Sequence, residues 1–299
     1  MGEIEFEVTD KRRALWAVEL EIFEVFRNIC QRHGLTYYAE SGTLIGAVRH
    51  KGFIPWDDDI DITMMRKDYE KFLVYAKQEL PKEYFLQIPE TEEDYFYGHA
   101  KIRKNGTTAI RTIQYPEKYT HHQGVFIDIF PIDNVPDGKF KRKWHKFVAL
   151  KEMQFIYYAK YYYRLNKHSL KTRIKHRISC IFLPSNKAIM RAYKRFEKWI
   201  RRYEDKTTEK MGMISMYYNL PEYCQWPREW FAESVKVEFE NTHMNAPKEY
   251  DKLLTCEYGD YMTPVQSPTY HGEILFDLEH DYKEYYDGTR TFDEADVGL

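Results

Sequence analysis

The chain predicts an α+β protein: a mixed sheet with helices on one face, followed by a basic helical region and a small C-terminal α+β region. Three observations carry that expectation. Residues 11–33 and 67–80 place apolar side chains at helical spacing. Six short apolar or alternating runs lie between and after them, at 36–39, 59–64, 84–88, 99–104, 107–112 and 124–130. A long helical pattern then fills 141–202, broken near Leu183-Pro184-Ser185.

Each element has a local reason. In the first helix Leu15, Val18, Ile22, Phe26 and Ile29 form one stripe, and Gly34 supplies a left-handed C-cap. Ser41-Gly42-Thr43 reads as a turn of small residues, with a helical turn over 44–49 after it. The 59–64 run alternates acids with β-branched residues, and the next helix stops at Pro81. The 124–130 run, GVFIDIF, is apolar apart from Asp128, and Pro131 followed by Val135-Pro136-Asp137-Gly138 is expected to end it. A β-ribbon over 230–239, a helix from near Pro247 and a Tyr-Gly-Asp-Tyr turn at 258–261 complete the pattern. The expected divisions are a catalytic core over 1–138, a basic aromatic helical region over 139–205, and a C-terminal region over 206–299 that completes the site.

Composition narrows the class. A chain of 299 residues has ample length for a core. No stretch reaches the ~18 apolar residues needed to span a bilayer, and the first residues, MGEIEFEVTDKRR, lack the apolar centre of a secretory signal. Cys30, Cys180, Cys224 and Cys256 stand far apart, so reduced thiols in a cytoplasmic protein are expected rather than a zinc site or a disulfide framework. Net charge is −2, but residues 139–202 hold twenty Lys/Arg against only Glu152 and Glu197. Large apolar residues, among them Trp144, Phe147, Phe155 and Tyr161 to Tyr163, interleave with those bases. That mixture suits an anionic membrane surface, nucleic acid, or two ordinary helices with a solvated basic face.

The run YYAESGTLIGAVRHKGFIPWDDDIDIT holds the chemistry. Asp57, Asp59 and Asp61 share one parity, so in an extended segment their carboxylates project to one side, with Ile60 and Ile62 on the other. Like charges stacked this way are unfavourable unless a cation neutralises them. A solvated acidic loop or a Ca²⁺-binding turn is the plainer reading, but core-like flanks and the absence of an EF-hand's Gly and Glu favour a Mg²⁺ or Mn²⁺ site. Asp128, a lone charge in an apolar strand, is placed beside this acidic strand, either as a further carboxylate of the site, as a base, or as the partner of a nearby Lys or Arg. Ser41, Gly42 and Thr43 offer backbone N–H groups and hydroxyls where phosphate could approach, or are simply a turn.

A small-residue turn before paired carboxylates is the pattern of the nucleotidyltransferase superfamily, and the whole run resembles the signature of the LicD family, which includes fukutin and fukutin-related protein. Lys101-Ile102-Arg103 with Thr107-Thr108, the stretch GVFIDIFPID, and a looser tail (Phe239-Glu240, Pro247, Tyr258-Gly259-Asp260-Tyr261-Met262, His271) extend the resemblance. It implies a nucleotidyltransferase-like fold and transfer of a phospho-alcohol from a CDP-activated donor, CDP-choline above all, to a hydroxyl of a cell-surface or lipid-linked glycan, with CMP leaving. It further implies Asp59 and Asp61 as metal ligands, Asp57 as an auxiliary ligand or orienter, Asp128 as the third carboxylate, and Arg49, His50, Lys101 and Arg103 as diphosphate contacts; Glu40 and Asp133 also match the pattern. Choline would need an aromatic cage, and the 26 Tyr and 18 Phe are too many to single one out. The expected setting is the cytoplasm, peripheral on the inner face of the cell membrane. A true nucleotidyltransferase, and a nucleic-acid-binding module with a vestigial site, stay open as alternatives.

Overall fold

The computed structural model describes residues 6–93, 95–112, 121–160, 169–216, 225–265 and 274–291. Tyr161 to Tyr163, Cys224 and His271, singled out above, lie outside the described residues. The fold is α+β. The chain forms two compact units, one of residues 1–87, 100–130 and 230–299, the other of residues 88–99 and 131–229.

The first unit opens with α1 (Asp10–His33), capped by Thr9, whose hydroxyl accepts from Arg12 N, and closed by Gly34 at φ 61°. Leu15, Ile22, Phe26 and Ile29 of its stripe are buried, and Phe26 packs edge-on to Phe72 at 4.9 Å between ring centres. β1 (Tyr38–Ala39) leads into α2 (Ser41–His50), then come β2 (Asp61–Met65), α3 (Arg66–Glu79), β3 (Tyr84–Gln87), β4 (Ala100–Lys104), β5 (Thr108–Arg111) and β6 (Phe126–Val135). The central strand order is β1-β2-β6-β4-β3, with β1–β2, β4–β6 and β3–β4 antiparallel.

The second unit holds α4 (Lys139–Lys160), α5 (Leu170–Phe182), α6 (Asn186–Ile200), β7 (Lys210–Gly212) and β8 (Gln225–Pro227). Its core is Met153 and Ile156 of α4 against Ile189, Phe196 and Ile200 of α6, with Val135 and Ile214. As expected the helices break at Leu183-Pro184-Ser185, and Ser185 caps α6 by accepting from Ala188 N at 3.3 Å. The first unit is completed by the hairpin β9 (Ser234–Phe239) and β10 (Thr242–Pro247), by α7 (Tyr250–Tyr258), by β11 (Ile274–Asp277), which pairs with β5, and by α8 (Tyr282–Asp287).

Four local expectations are corrected. Ser41-Gly42-Thr43 is the first turn of α2, not a turn ahead of it; Glu40 is the N-cap, and Ser41 takes φ 48°. The acidic strand starts at Asp61, and Asp57 to Asp59 sit in irregular backbone, since adjacent aspartates are poor strand formers and repel along an edge. Pro131 does not end β6: the strand pairs with β4 through Ile129 and with β7 from Asp133, so the missing N–H falls in the gap between two ladders, where no bond is required. Finally, residues 228–231 are a 3₁₀ turn, the ribbon is the 234–247 hairpin, and Pro247 ends its second strand, so that α7 starts at Tyr250.

Candidate active site

The site is assembled by backbone hydrogen bonds around the start of β2. Glu40 N donates to Asp61 O at 3.0 Å, Asp61 N donates to the Thr43 hydroxyl at 2.8 Å, and Asp128 N donates to Ile60 O at 2.9 Å. The last of these sets Asp128 beside the acidic segment. One carboxylate oxygen from each of Asp59, Asp61 and Asp128 lies within 4.8 Å of the others, and Asp57, Asp58 and Asp59 form a second such group.

α1 covers the irregular segment. The Arg12 guanidinium donates to Asp57 O at 2.8 Å and the Trp16 indole donates to the same carbonyl at 3.0 Å. Behind it, Trp16 stacks on Phe53 at 4.8 Å, and Phe53 packs on Phe239 at the same separation. The base of the loop is clasped by the β9–β10 hairpin: Phe53 N donates to the Glu240 carboxylate at 3.0 Å, and Glu240 N donates to Lys51 O at 2.7 Å. Gly42 lies so near Asp57 that a Cβ there would stand 2.5 Å from its Oδ2. Glycine is thus required at the first turn of α2 for close approach rather than for backbone freedom.

The electrostatics are those of an acidic pocket that Arg12 and Lys101 offset only in part. Burial pushes the Asp61 carboxyl well above the usual carboxylate range, with Asp59, Asp128 and Asp57 adding to it. Asp57 is raised in the same way by burial and by Asp59 and Asp58. Glu40, 1% exposed, is raised to about 7 by burial, although Ser41 N–H and the Thr63 hydroxyl (3.2 Å) both donate to it. Lys101, directly opposite Asp128 in the β4–β6 register, forms an ion pair with it and lies 3.6 Å from the Phe126 ring centre. Burial still lowers that ammonium to about 8. Asp128 thereby satisfies two of the readings of its sequence at once, partner of a lysine and member of the acidic cluster.

The remaining expected residues separate. Arg103 sits two residues along β4, but its guanidinium donates to Gln87 Oε1 and to Gly124 O, each at 2.6 Å. Arg49 donates to Tyr261 O at 2.6 Å and to the His50 ring at 2.9 Å. Both are in the last turn of α2, roughly 12 Å along the axis from Ser41 and Gly42 in the first. The structure therefore gathers Glu40, Ser41, Gly42, Thr43, Asp57, Asp59, Asp61, Lys101 and Asp128, and leaves Arg49 and His50 at the other end of their helix. Asp133 lies beyond Pro131 on β6, paired with Gly212.

Three residues at the site escaped the sequence reading. Glu19 is 1% exposed, its Oε2 has no hydrogen-bond partner among the described residues, and burial, then Asp59, Asp58 and Asp57, hold its carboxyl well above the ordinary value. Arg12 is the second and Tyr258, whose hydroxyl bonds Ser41, the third. The signal for the first two was present: Arg12 and Glu19 occupy the helical stripe of Leu15, Ile22 and Phe26, where a charge is expensive without a purpose. Tyr258 stood in the tail that extends the resemblance, but nothing there pointed to the site, because contact with α2 is set by tertiary packing.

The donors suit a hard divalent cation. They are carboxylate oxygens alone, and the Asp57 Oδ2 is buried with no hydrogen-bond partner among the described residues.

Comparison with known proteins follows the same line. Residues 34–173 match the family model described as LicD/FKTN/FKRP, nucleotidyltransferase domain. The lipopolysaccharide cholinephosphotransferase LicD of Haemophilus influenzae is 31% identical over 248 residues, 81% of this chain and 88% of the relative. Uncharacterized proteins of Rickettsia prowazekii and Rickettsia typhi are each 38% identical over shorter stretches, 66 residues (21% of this chain, 23% of the relative) and 65 residues (20% and 21%). With its acidic segment, α2 and β6 all inside the matched region, the chain belongs to the LicD family and is a LicD-type phosphotransferase.

Proposed function

We propose that this chain transfers phosphocholine from a CDP-activated donor to a hydroxyl of a cell-surface glycan such as lipopolysaccharide, releasing CMP, with Mg²⁺ or Mn²⁺ held by Asp59, Asp61 and Asp128. The observation that carries the reading is the convergence of those three carboxylates within 4.8 Å, in a chain 31% identical to a named cholinephosphotransferase. A divalent cation bound there supplies charge neutralisation for the phosphate oxygens and for the departing CMP. Asp57 and Glu19 set the negative field around that position, and Arg12 and Trp16 fix the Asp57 backbone. Lys101, paired with Asp128, is placed to offer its ammonium to a phosphate oxygen. The first turn of α2, where Gly42 lies against the Asp57 carboxylate, would offer backbone N–H groups to a diphosphate.

The acceptor hydroxyl oxygen forms a bond to the phosphorus that carries choline, its proton passes to Asp128, and the bond from that phosphorus to the CMP oxygen breaks. The test is product analysis with CDP-choline labelled in the choline, run with and without Mg²⁺. Label on the glycan and stoichiometric free CMP support the proposal, and Asp59→Asn and Asp61→Asn each lower turnover by about 10³ while the circular dichroism spectrum is kept. Full activity in both variants would falsify the site. The family description, a nucleotidyltransferase domain, favours one second reading, attachment of the nucleotide itself; nucleotide label recovered on the acceptor selects it.

A further inference from the structure

An ordinary surface helix turns its apolar stripe inward. α5 does the reverse. Ser179 is its one fully buried residue among the described residues, whereas Leu170, Ile174, Ile178 and Ile181, spaced as a single helical stripe, are 71%, 48%, 45% and 73% exposed. α4 carries two stripes. His145, Ala149, Met153 and Ile156 are buried, and Phe140, Trp144 and Phe147, roughly 170° around the helix at 100° per residue, face solvent. Of the twelve large apolar residues that are exposed among those described, eight belong to these two helices, which therefore hold a local feature rather than ordinary scatter.

Charge identifies what covers it. α5 has Lys171, Arg173, Lys175 and Arg177 and no acid. α4 has seven Lys/Arg and one acid, Glu152, which is held by Arg195 at 2.8 Å. On α4, Lys141 and Lys143 flank the exposed aromatic stripe, and Lys151 lies 5.7 Å from the Phe147 ring centre. The two helices touch through Phe155 and Phe182, 6.0 Å apart, and through the His176 ring with Tyr158 O at 2.6 Å. No described helix is long and apolar enough to cross a membrane. Exposed isoleucine and aromatic stripes rimmed by lysine and arginine match the interfacial zone of a bilayer with anionic headgroups. A protein partner would need a matching acidic rim, and nucleic acid gains little from exposed isoleucines.

We infer that α5, together with the first three turns of α4, is a membrane-docking surface that lies in the headgroup region of an anionic bilayer. The surface is independent of the acidic site, so it stands or falls separately from the phosphotransfer reading.

The experiment is vesicle flotation of the full chain on phosphatidylcholine against equimolar phosphatidylcholine and phosphatidylglycerol. Binding at least about tenfold stronger on the anionic vesicles, weakened by high salt, is expected. Paired Ile174→Ser/Ile178→Ser, and separately Arg173→Gln/Arg177→Gln, each lower it by about tenfold, because both components contribute. Ile174, Ile178 and Arg177 are exposed and Arg173 is half-buried, so the variants keep a melting temperature close to the native one. On vesicles the Trp144 emission shifts to shorter wavelength, read as the difference from Trp144→Phe. Equal binding to neutral and anionic vesicles, no binding, or retained binding in both variants overturns the proposal. So does a dimer that the isoleucine variant abolishes, or an oligonucleotide shift lost in the arginine variant with no vesicle binding.

Discussion

Gly42 and Gly46 lie four residues apart on one helix and are constrained for different reasons. A methyl group on Gly42 meets the end of the Asp57 side chain, which can swing aside. On Gly46 it would overlap the Gly52 carbonyl, which is backbone and cannot yield without moving the loop. Gly42→Ala is therefore expected to change unfolding free energy by less than about 1 kcal/mol yet displace a carboxylate of the site, lowering turnover by about tenfold or more. Gly46→Ala should cost about 2–3 kcal/mol in urea unfolding. Equal destabilisation by the two would show that Asp57 is as rigid as the backbone. The acids themselves were legible in the sequence because their types and spacing are unusual together. Glu19 left a fainter signal, because a single acid in an amphipathic helix differs from a surface residue only in the phase at which it falls.

At the scale of elements, α4 and α6 are joined by a reciprocal pair. The His145 ring N–H donates to Trp199 O and the Trp199 indole donates to His145 O, both at 3.1 Å, with the imidazole stacked on the indole at 5.6 Å. Burial, outweighing the bond to Trp199 O and helped by nearby Arg202, lowers this imidazole from 6.5 to about 4. The folded state thus binds a proton less readily than the unfolded chain. This contribution is complete above about pH 6.5, declines as the medium is acidified, and stops changing once both states are protonated, below about pH 4. Wild type is expected to lose about 2 kcal/mol more than His145→Gln between about pH 7 and about pH 5 by urea titration. Matching against the variant removes the effect of other groups, such as His122, which burial lowers to about 3. Parallel curves would show that His145 titrates normally. Most elements were readable from periodicity, and the helical break at Pro184 fell where expected. β6 was misjudged at Pro131 because whether a missing N–H matters depends on which neighbour stands opposite, which sequence alone does not record.

For the whole molecule, every residue of the acidic cluster belongs to the first unit, as do Trp16 and Trp56, while Trp144 and Trp199 report on the second. Ligand linkage then acts on one unit. Mg²⁺ or Mn²⁺ at a hundredfold excess over its Kd adds roughly 3 kcal/mol to the unfolding of the first unit, raising its melting temperature by several degrees. Chelation reverses the rise, and Asp61→Asn removes it. A rise confined to the second unit, or one that persists in Asp61→Asn, would place the cation elsewhere. The strand order, by contrast, could not be foreseen, since β1 is two residues long and the 234–247 hairpin reaches back across the sequence. That hairpin has a temporal consequence. Glu240 grips the backbone at Lys51 and Phe53, nearly two hundred positions earlier. While the ribosome is still making the intervening stretch, the segment bearing Asp57 to Asp59 is untethered at its base. Catalytic readiness accordingly arrives late in synthesis, after the polypeptide's opening third has long been in solution.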